Sequence, residues 1–172
     1  MNFENLITGQ VGLIHLITSI LALFFGTLVL ATKKGTLLHK RMGYAYTGSM
    51  FLLLVTAFML YNLFGRFGIF HWAAVVSSLT LIGGMIPMIL KKPKSYISMH
   101  FNFMYWSVFG LYGAASAEVL TRIPKVIEDG GVPNHVFYNM VGLAVFITMG
   151  LGYFIMWRKK RAWNRFDQAN IT

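Results

Sequence analysis

Five histidines, His15, His39, His71, His100 and His135, are the side chains in this chain best suited to chemistry. Imidazole is the commonest protein ligand for metals, and it serves as an axial ligand to haem iron. Cysteine is absent, which excludes disulfides, iron–sulfur clusters, thiolate-ligated haem and cysteine-held zinc. Any metal or cofactor must then rest on histidine, methionine or carboxylate. The eleven methionines are scattered and read as adaptable core filler. The sequence contains no H-E-x-x-H helix motif, no phosphate-binding glycine loop and no Ser/His/Asp triad spacing. Gaps of 24, 32 and 29 residues separate the first four histidines. Each gap is close to one membrane-crossing helix plus a connection, about 20 residues and a loop.

The elements that must position these histidines follow from composition. Of 172 residues, 56% are hydrophobic and 12% charged, against about 25% charged in a soluble domain. A disordered chain needs the opposite balance. The expectation is an all-α integral membrane protein, a bundle of five transmembrane helices over 11–31, 42–64, 69–90, 97–120 and 135–157. Short connections make neighbours antiparallel and the whole chain, 1–172, one transmembrane domain. Pro87 is expected to kink the third span or end it early. Glu128-Asp129-Gly130-Gly131 reads as a turn in the longest connection.

Charge gives the orientation. Lys33, Lys34, Lys40, Arg41, Lys91, Lys92, Lys94, Arg158, Lys159, Lys160, Arg161 and Arg165 all fall on one side, twelve of the fifteen basic residues. Arg66, Arg122 and Lys125 fall on the other, with Glu4, Glu118, Glu128 and Asp129. Basic loops stay in the cytoplasm, so the N-terminus is expected outside and the C-terminus inside. The net charge of +10 is thereby explained by topology and by attraction to anionic lipid headgroups. No nucleic-acid partner is expected. The first span lacks a basic n-region and is followed by Lys33 and Lys34, so it reads as a retained anchor rather than a cleaved signal. Trp72, Tyr96, Tyr153 and Trp157 lie near span ends, where aromatic rings favour the membrane interface.

In this topology the histidines fall in two layers. His15 and His71 lie near the outer ends of the first and third spans, and His39 and His100 near the inner ends of the second and fourth. His135 opens the fifth span outside. Helical periodicity puts His15, Ser19, Ala22 and Gly26 on one face, and His71, Ala74 and Ser78 on another. In the fourth span, His100, Phe103, Ser107, Gly110, Ala114 and Ala117 share a face. Such small-residue stripes let helices approach closely, and they equally leave room for a planar cofactor.

Lys34-Gly35-Thr36-Leu37-Leu38-His39-Lys40-Arg41-Met42-Gly43 resembles the K-G-T-x-x-H-[KR]-x-x-G signature of a bacterial family of predicted multi-pass membrane proteins of unknown function. His15, His71, His100, Glu118 and Arg122 match the same family, and the resemblance runs from the start of the chain to just beyond Arg122. It implies the helical membrane fold, a bacterial cytoplasmic membrane and these candidate site residues. The architecture is also similar to cytochrome b561-type dihaem bundles, with one haem-ligating histidine on each of four consecutive helices. That resemblance implies His15 with His71 for an outer haem and His39 with His100 for an inner one. The departure is His39, which precedes its apolar run, an axial offset of roughly 9–10 Å from His100 in untilted helices.

Three functions stand open on these residues. The first is a b-type haem protein for transmembrane electron transfer, held by His15, His71, His39 and His100, with Arg122 or Arg41 offsetting propionates and with a redox partner. The second is an outer zinc site of His15, His71, Glu118 and His135, with hydrolase-type chemistry. The third is a non-catalytic subunit or assembly factor of a membrane complex, without a cofactor, in which Gly110–Ala117 and the small faces make helix contacts. Taken one at a time, His15 and His100 then read as interior hydrogen-bond partners, His39 and His71 as interfacial, and Glu118 as an ion-pair partner of Arg122.

Overall fold

The computed structural model describes residues 9–60, 67–127 and 134–163. They form five α-helices, α1 (Gly9–Ala31), α2 (Leu37–Met59), α3 (Ile69–Leu90), α4 (Tyr96–Ile127) and α5 (Asn134–Trp163), with no strand among the described residues. Among the described residues four segments are long and apolar enough to cross a membrane: Gly9–Ala31, Leu37–Met59, Ile69–Leu90 and His135–Lys159. α4 has the length, but His100, Asn102, Tyr105, Trp106, Tyr112 and Glu118 dilute its apolar character. The chain divides into two compact units, Met1–Ser78 and Leu79–Thr172.

In the first unit α1 packs along α2. The turn between them is built from the Lys34-Gly35-Thr36 stretch. Lys34 Nζ donates to the carbonyls of Val29 and Leu30, at 2.7 and 3.0 Å, which caps the C-terminus of α1 with a cation. Gly35 reverses the chain at φ +78°, a conformation that favours glycine. Thr36 is extended and is the N-cap of α2, its Oγ1 accepting the His39 amide at 3.2 Å. This cap starts α2 five residues earlier than its apolar run, so His39 is the third residue of the helix rather than a residue ahead of it. The proposed end of the second span, 61–64, lies outside the described residues.

The face that α1 buries is Thr18, Ala22, Gly26 and Val29. Ala22 and Gly26 lie on the stripe read from the sequence; Thr18 takes the place given to Ser19. Across from it α2 buries Tyr46, Ser49, Met50, Leu53, Leu54 and Thr56. Two glycine or alanine positions per three turns let the backbones close up, and Met50 and Tyr46 fill the space.

In the second unit α4 packs along α5. α4 buries Met104, Tyr105, Ser107, Val108, Phe109, Leu111, Ala117 and Thr121, and α5 answers with Phe137, Val141 and Ala144 at i, i+4, i+7. The Tyr105 hydroxyl donates to the Gly152 carbonyl at 2.7 Å in a buried bond. Part of α4's polar content, Tyr105 and Ser107, is thus buried against protein. Of its anticipated face, Ser107 and Ala117 are buried, while Phe103 is exposed. α3 runs through Pro87 for one more turn to Leu90 and ends at Lys91, which is left-handed at φ 52°.

Large apolar side chains cover the outside of all five helices, Phe24, Phe51, Leu79, Val119 and Phe146 among them. Exposed apolar side chains in this number suit a lipid bilayer rather than water. Trp72, Tyr153 and Trp157 are exposed, as rings at a membrane interface would be. Arg158 lies over the Phe154 ring, 5.4 Å from its centroid. The anticipated turn at Glu128-Asp129-Gly130-Gly131 lies outside the described residues.

Candidate functional site

His15 sits on the seventh residue of α1, half-buried, where its Nδ1 meets Thr56 Oγ1 of α2 at 3.0 Å. Thr56 has one hydroxyl proton, and its oxygen lies 3.0 and 2.9 Å from the Leu52 and Leu53 carbonyls. A carbonyl only accepts, so that proton points back along α2. The donor balance then assigns the His15–Thr56 contact to an Nδ1–H donating to the hydroxyl oxygen. In a neutral ring the lone pair is then on Nε2.

His100 reaches the same state by a different partner. It is the fifth residue of α4, and its Nδ1 lies 2.8 Å from the carbonyl oxygen of Gly84 on α3. The carbonyl has no proton to give, so Nδ1 carries the hydrogen and Nε2 the lone pair. A tied Nδ1–H with a basic Nε2 is the form in which histidine ligates metals, its ring held by the second-shell bond.

His71 is in the other form. Gly68 precedes α3 and its carbonyl accepts the amides of His71 and Trp72 at 3.0 and 3.2 Å, which makes it the N-cap and His71 the third helical residue. The Gly68 amide donates to His71 Nδ1 at 3.1 Å. This is the reciprocal geometry of a capping box, with imidazole in the place usually taken by Glu or Gln. Nδ1 therefore holds no proton, and in a neutral ring Nε2 does. The ring is 5% exposed and lies tilted against Phe67, centroids 4.8 Å apart. Ligation through Nε2 would require release of the Gly68 bond. The two residues of the expected outer pair thus differ in ring state, the neutral lone pair lying on Nε2 of His15 and on Nδ1 of His71.

His39 occupies the matching third position of α2, half-buried, with Nδ1 inside. His135 is exposed at the start of α5, and Glu118 is half-buried on α4. The Arg122 side chain, and with it the anticipated Glu118–Arg122 pair, lies outside the described residues. Among the described residues no group of three or more His, Cys, Asp or Glu is gathered.

The partners that decide these imidazole states were not singled out by the sequence. Thr56 is one of several hydroxyls in its helix, and Gly84 acts through a backbone carbonyl, which no residue type reveals. Gly68 had a signal: a glycine three residues before a histidine at the start of an apolar run is a capping spacing. Comparison with family models, with curated proteins and with solved structures gives no match to this chain.

Proposed function

We propose that the chain is a five-span membrane protein, N-terminus outside and C-terminus cytoplasmic in a bacterial cytoplasmic membrane, whose intramembrane histidines hold b-type haem for electron transfer. α4 supplies the fifth crossing, its 32 residues extending about 48 Å against a hydrocarbon core of about 30 Å. The grouping of basic residues supports the orientation.

The observation that carries the haem reading is the hydrogen bonding of His15 and His100. Donation from Nδ1 to Thr56 Oγ1 and to the Gly84 carbonyl puts the lone pair on Nε2 and fixes the ring planes. His15 in the first unit and His100 in the second are the residues that would hold iron, and His39 stays a candidate beside them. Bound haem would supply one-electron chemistry, and the chain's part is to orient the imidazoles and keep water away with apolar helices.

The same two bonds favour a second reading, a non-catalytic subunit or assembly factor. There they serve as polar ties between helices, α1 to α2 and α4 to α3, in lipid where such bonds are worth about 0.6 kcal/mol on average. An absorption spectrum of the detergent-purified protein, oxidised and dithionite-reduced after haem-replete expression, separates them. The haem reading expects a Soret band and sharp reduced α and β bands that weaken in His15→Ala or His100→Ala and persist in His135→Ala. A colourless protein sinks it and leaves the second reading.

A further inference from the structure

We propose that residues 83–87 of α3 form a joint within that helix and that His100 of α4 is its latch. Pro87 has no amide to offer the Gly83 carbonyl, and its ring crowds the turn before it. Gly83 and Gly84, in that same turn, carry no side chains to stiffen it. Sharp bends in helices occur at proline and at such small-residue pairs. In an apolar helix a weakened stretch of backbone persists where neighbouring helices re-satisfy its polar groups.

α4 braces that turn with three residues on one face, and the carbonyl it bonds is that of Gly84, next to the Gly83 carbonyl that Pro87 cannot serve. His100 Nδ1–H donates to the Gly84 carbonyl at 2.8 Å. Phe103 and Met104, at i+3 and i+4 from it, rest on the two glycines. A Cβ at Gly83 would fall 2.9 Å from the Phe103 ring, and one at Gly84 2.6 Å from Met104 Sδ. The seat exists because both positions lack a Cβ, and the histidine bond closes it. With the bond made, α3 stays helical through Pro87 to Leu90; with it broken, the two glycines and the proline leave that turn free to bend. This role uses Nδ1 alone and stands whether or not Nε2 meets a cofactor.

The absence of cysteine allows a clean test. Spin labels at Leu79 and Ile89, which are 62% and 70% exposed on either side of the joint, sit about 15 Å apart along an unbroken helix. Dipolar spectroscopy in lipid should show one narrow distance in the parent protein. His100→Ala should broaden it and add shorter distances. His100→Gln, whose amide N–H still donates, should stay narrow although it cannot ligate haem through an imidazole. His100→Ala with Pro87→Ala should recover the narrow distance, because the new amide restores the Gly83 bond. If His100→Ala does not fold, His100→Phe keeps the ring volume without an N–H and should broaden likewise. A distribution in His100→Ala or His100→Phe as narrow as the parent's overturns the proposal, as does a double variant no narrower than His100→Ala. A failure of the haem reading would leave all of these distances unchanged.

Discussion

Gly152→Val is expected to destabilise the α4–α5 pair by about 1–3 kcal/mol, the cost of forcing extra atoms into a filled core. A Cβ at Gly152 would lie 2.7 Å from Phe109 Cδ1 and 2.9 Å from its Cγ. Phe109 is buried, and its ring packs against that of Tyr105 with centroids 4.7 Å apart. Tyr105 in turn donates its hydroxyl to the Gly152 carbonyl. The ring cannot back away without displacing the tyrosine that bonds the same glycine, so steric and hydrogen-bond losses arrive together. Gly150 is the control, because a Cβ there meets nothing within 4 Å. Thermal unfolding in a mild detergent should show a clear drop for Gly152→Val and little change for Gly150→Val. Equal midpoints for the two would mean that the α4–α5 contact is not close-packed at Gly152.

The second large effect is expected at Gly35. Its φ of +78° is strained for any side chain and worst for a β-branched one, at roughly 1–3 kcal/mol. Gly35→Val should therefore lower stability by that amount although nothing lies near a Cβ there. The strain cannot be relieved locally, because the residues on each side are already committed: Lys34 to the last carbonyls of α1 and Thr36 to the first amides of α2. Gly43, inside α2 with equally open space around it, should accept valine at little cost in a well-packed helix. Chemical unfolding of the two variants side by side checks this. A Gly35→Val protein as stable as the parent would show that the α1–α2 turn adopts another backbone.

These two glycines also show what kind of information the sequence carries. The helices were legible because apolar runs of membrane length have few other uses, and the bounds of α3 were read to the residue. The apolar span of α2 begins five residues after its Thr36 cap, because hydropathy follows lipid contact, whereas helix starts follow hydrogen bonding. α4 was read as apolar enough to count with the rest, yet its tyrosines, serines and histidine are what pack against protein. The stretch that begins Lys34-Gly35-Thr36 resembled a family signature. In the structure its first three residues build a helix–turn–helix connection, and its histidine is the third residue of the second helix.

The histidines were found by type and depth, but their chemical states were not legible. Two of them stand at the third position of a helix, His39 in α2 and His71 in α3, and the His71 ring there meets the Gly68 amide. Two more stand inside helices, where the partner is whatever the neighbouring helix presents: a threonine hydroxyl for His15, a backbone carbonyl for His100. Spacing along one chain carries no information on which oxygen will lie across an interface. That choice decides which ring nitrogen keeps its lone pair, and hence which histidine is fit to hold iron.

The most direct test is therefore of the ring nitrogens themselves. Solid-state NMR of the protein in lipid bilayers, with 15N-labelled histidine and single His→Gln variants for assignment, distinguishes a protonated ring nitrogen from a bare one. With neutral rings, the hydrogen bonds described above predict a proton on Nδ1 and a bare Nε2 at His15 and His100, and the reverse at His71. A proton on Nε2 of His15 or His100, or on Nδ1 of His71, would contradict them and remove the ground on which the cofactor site rests.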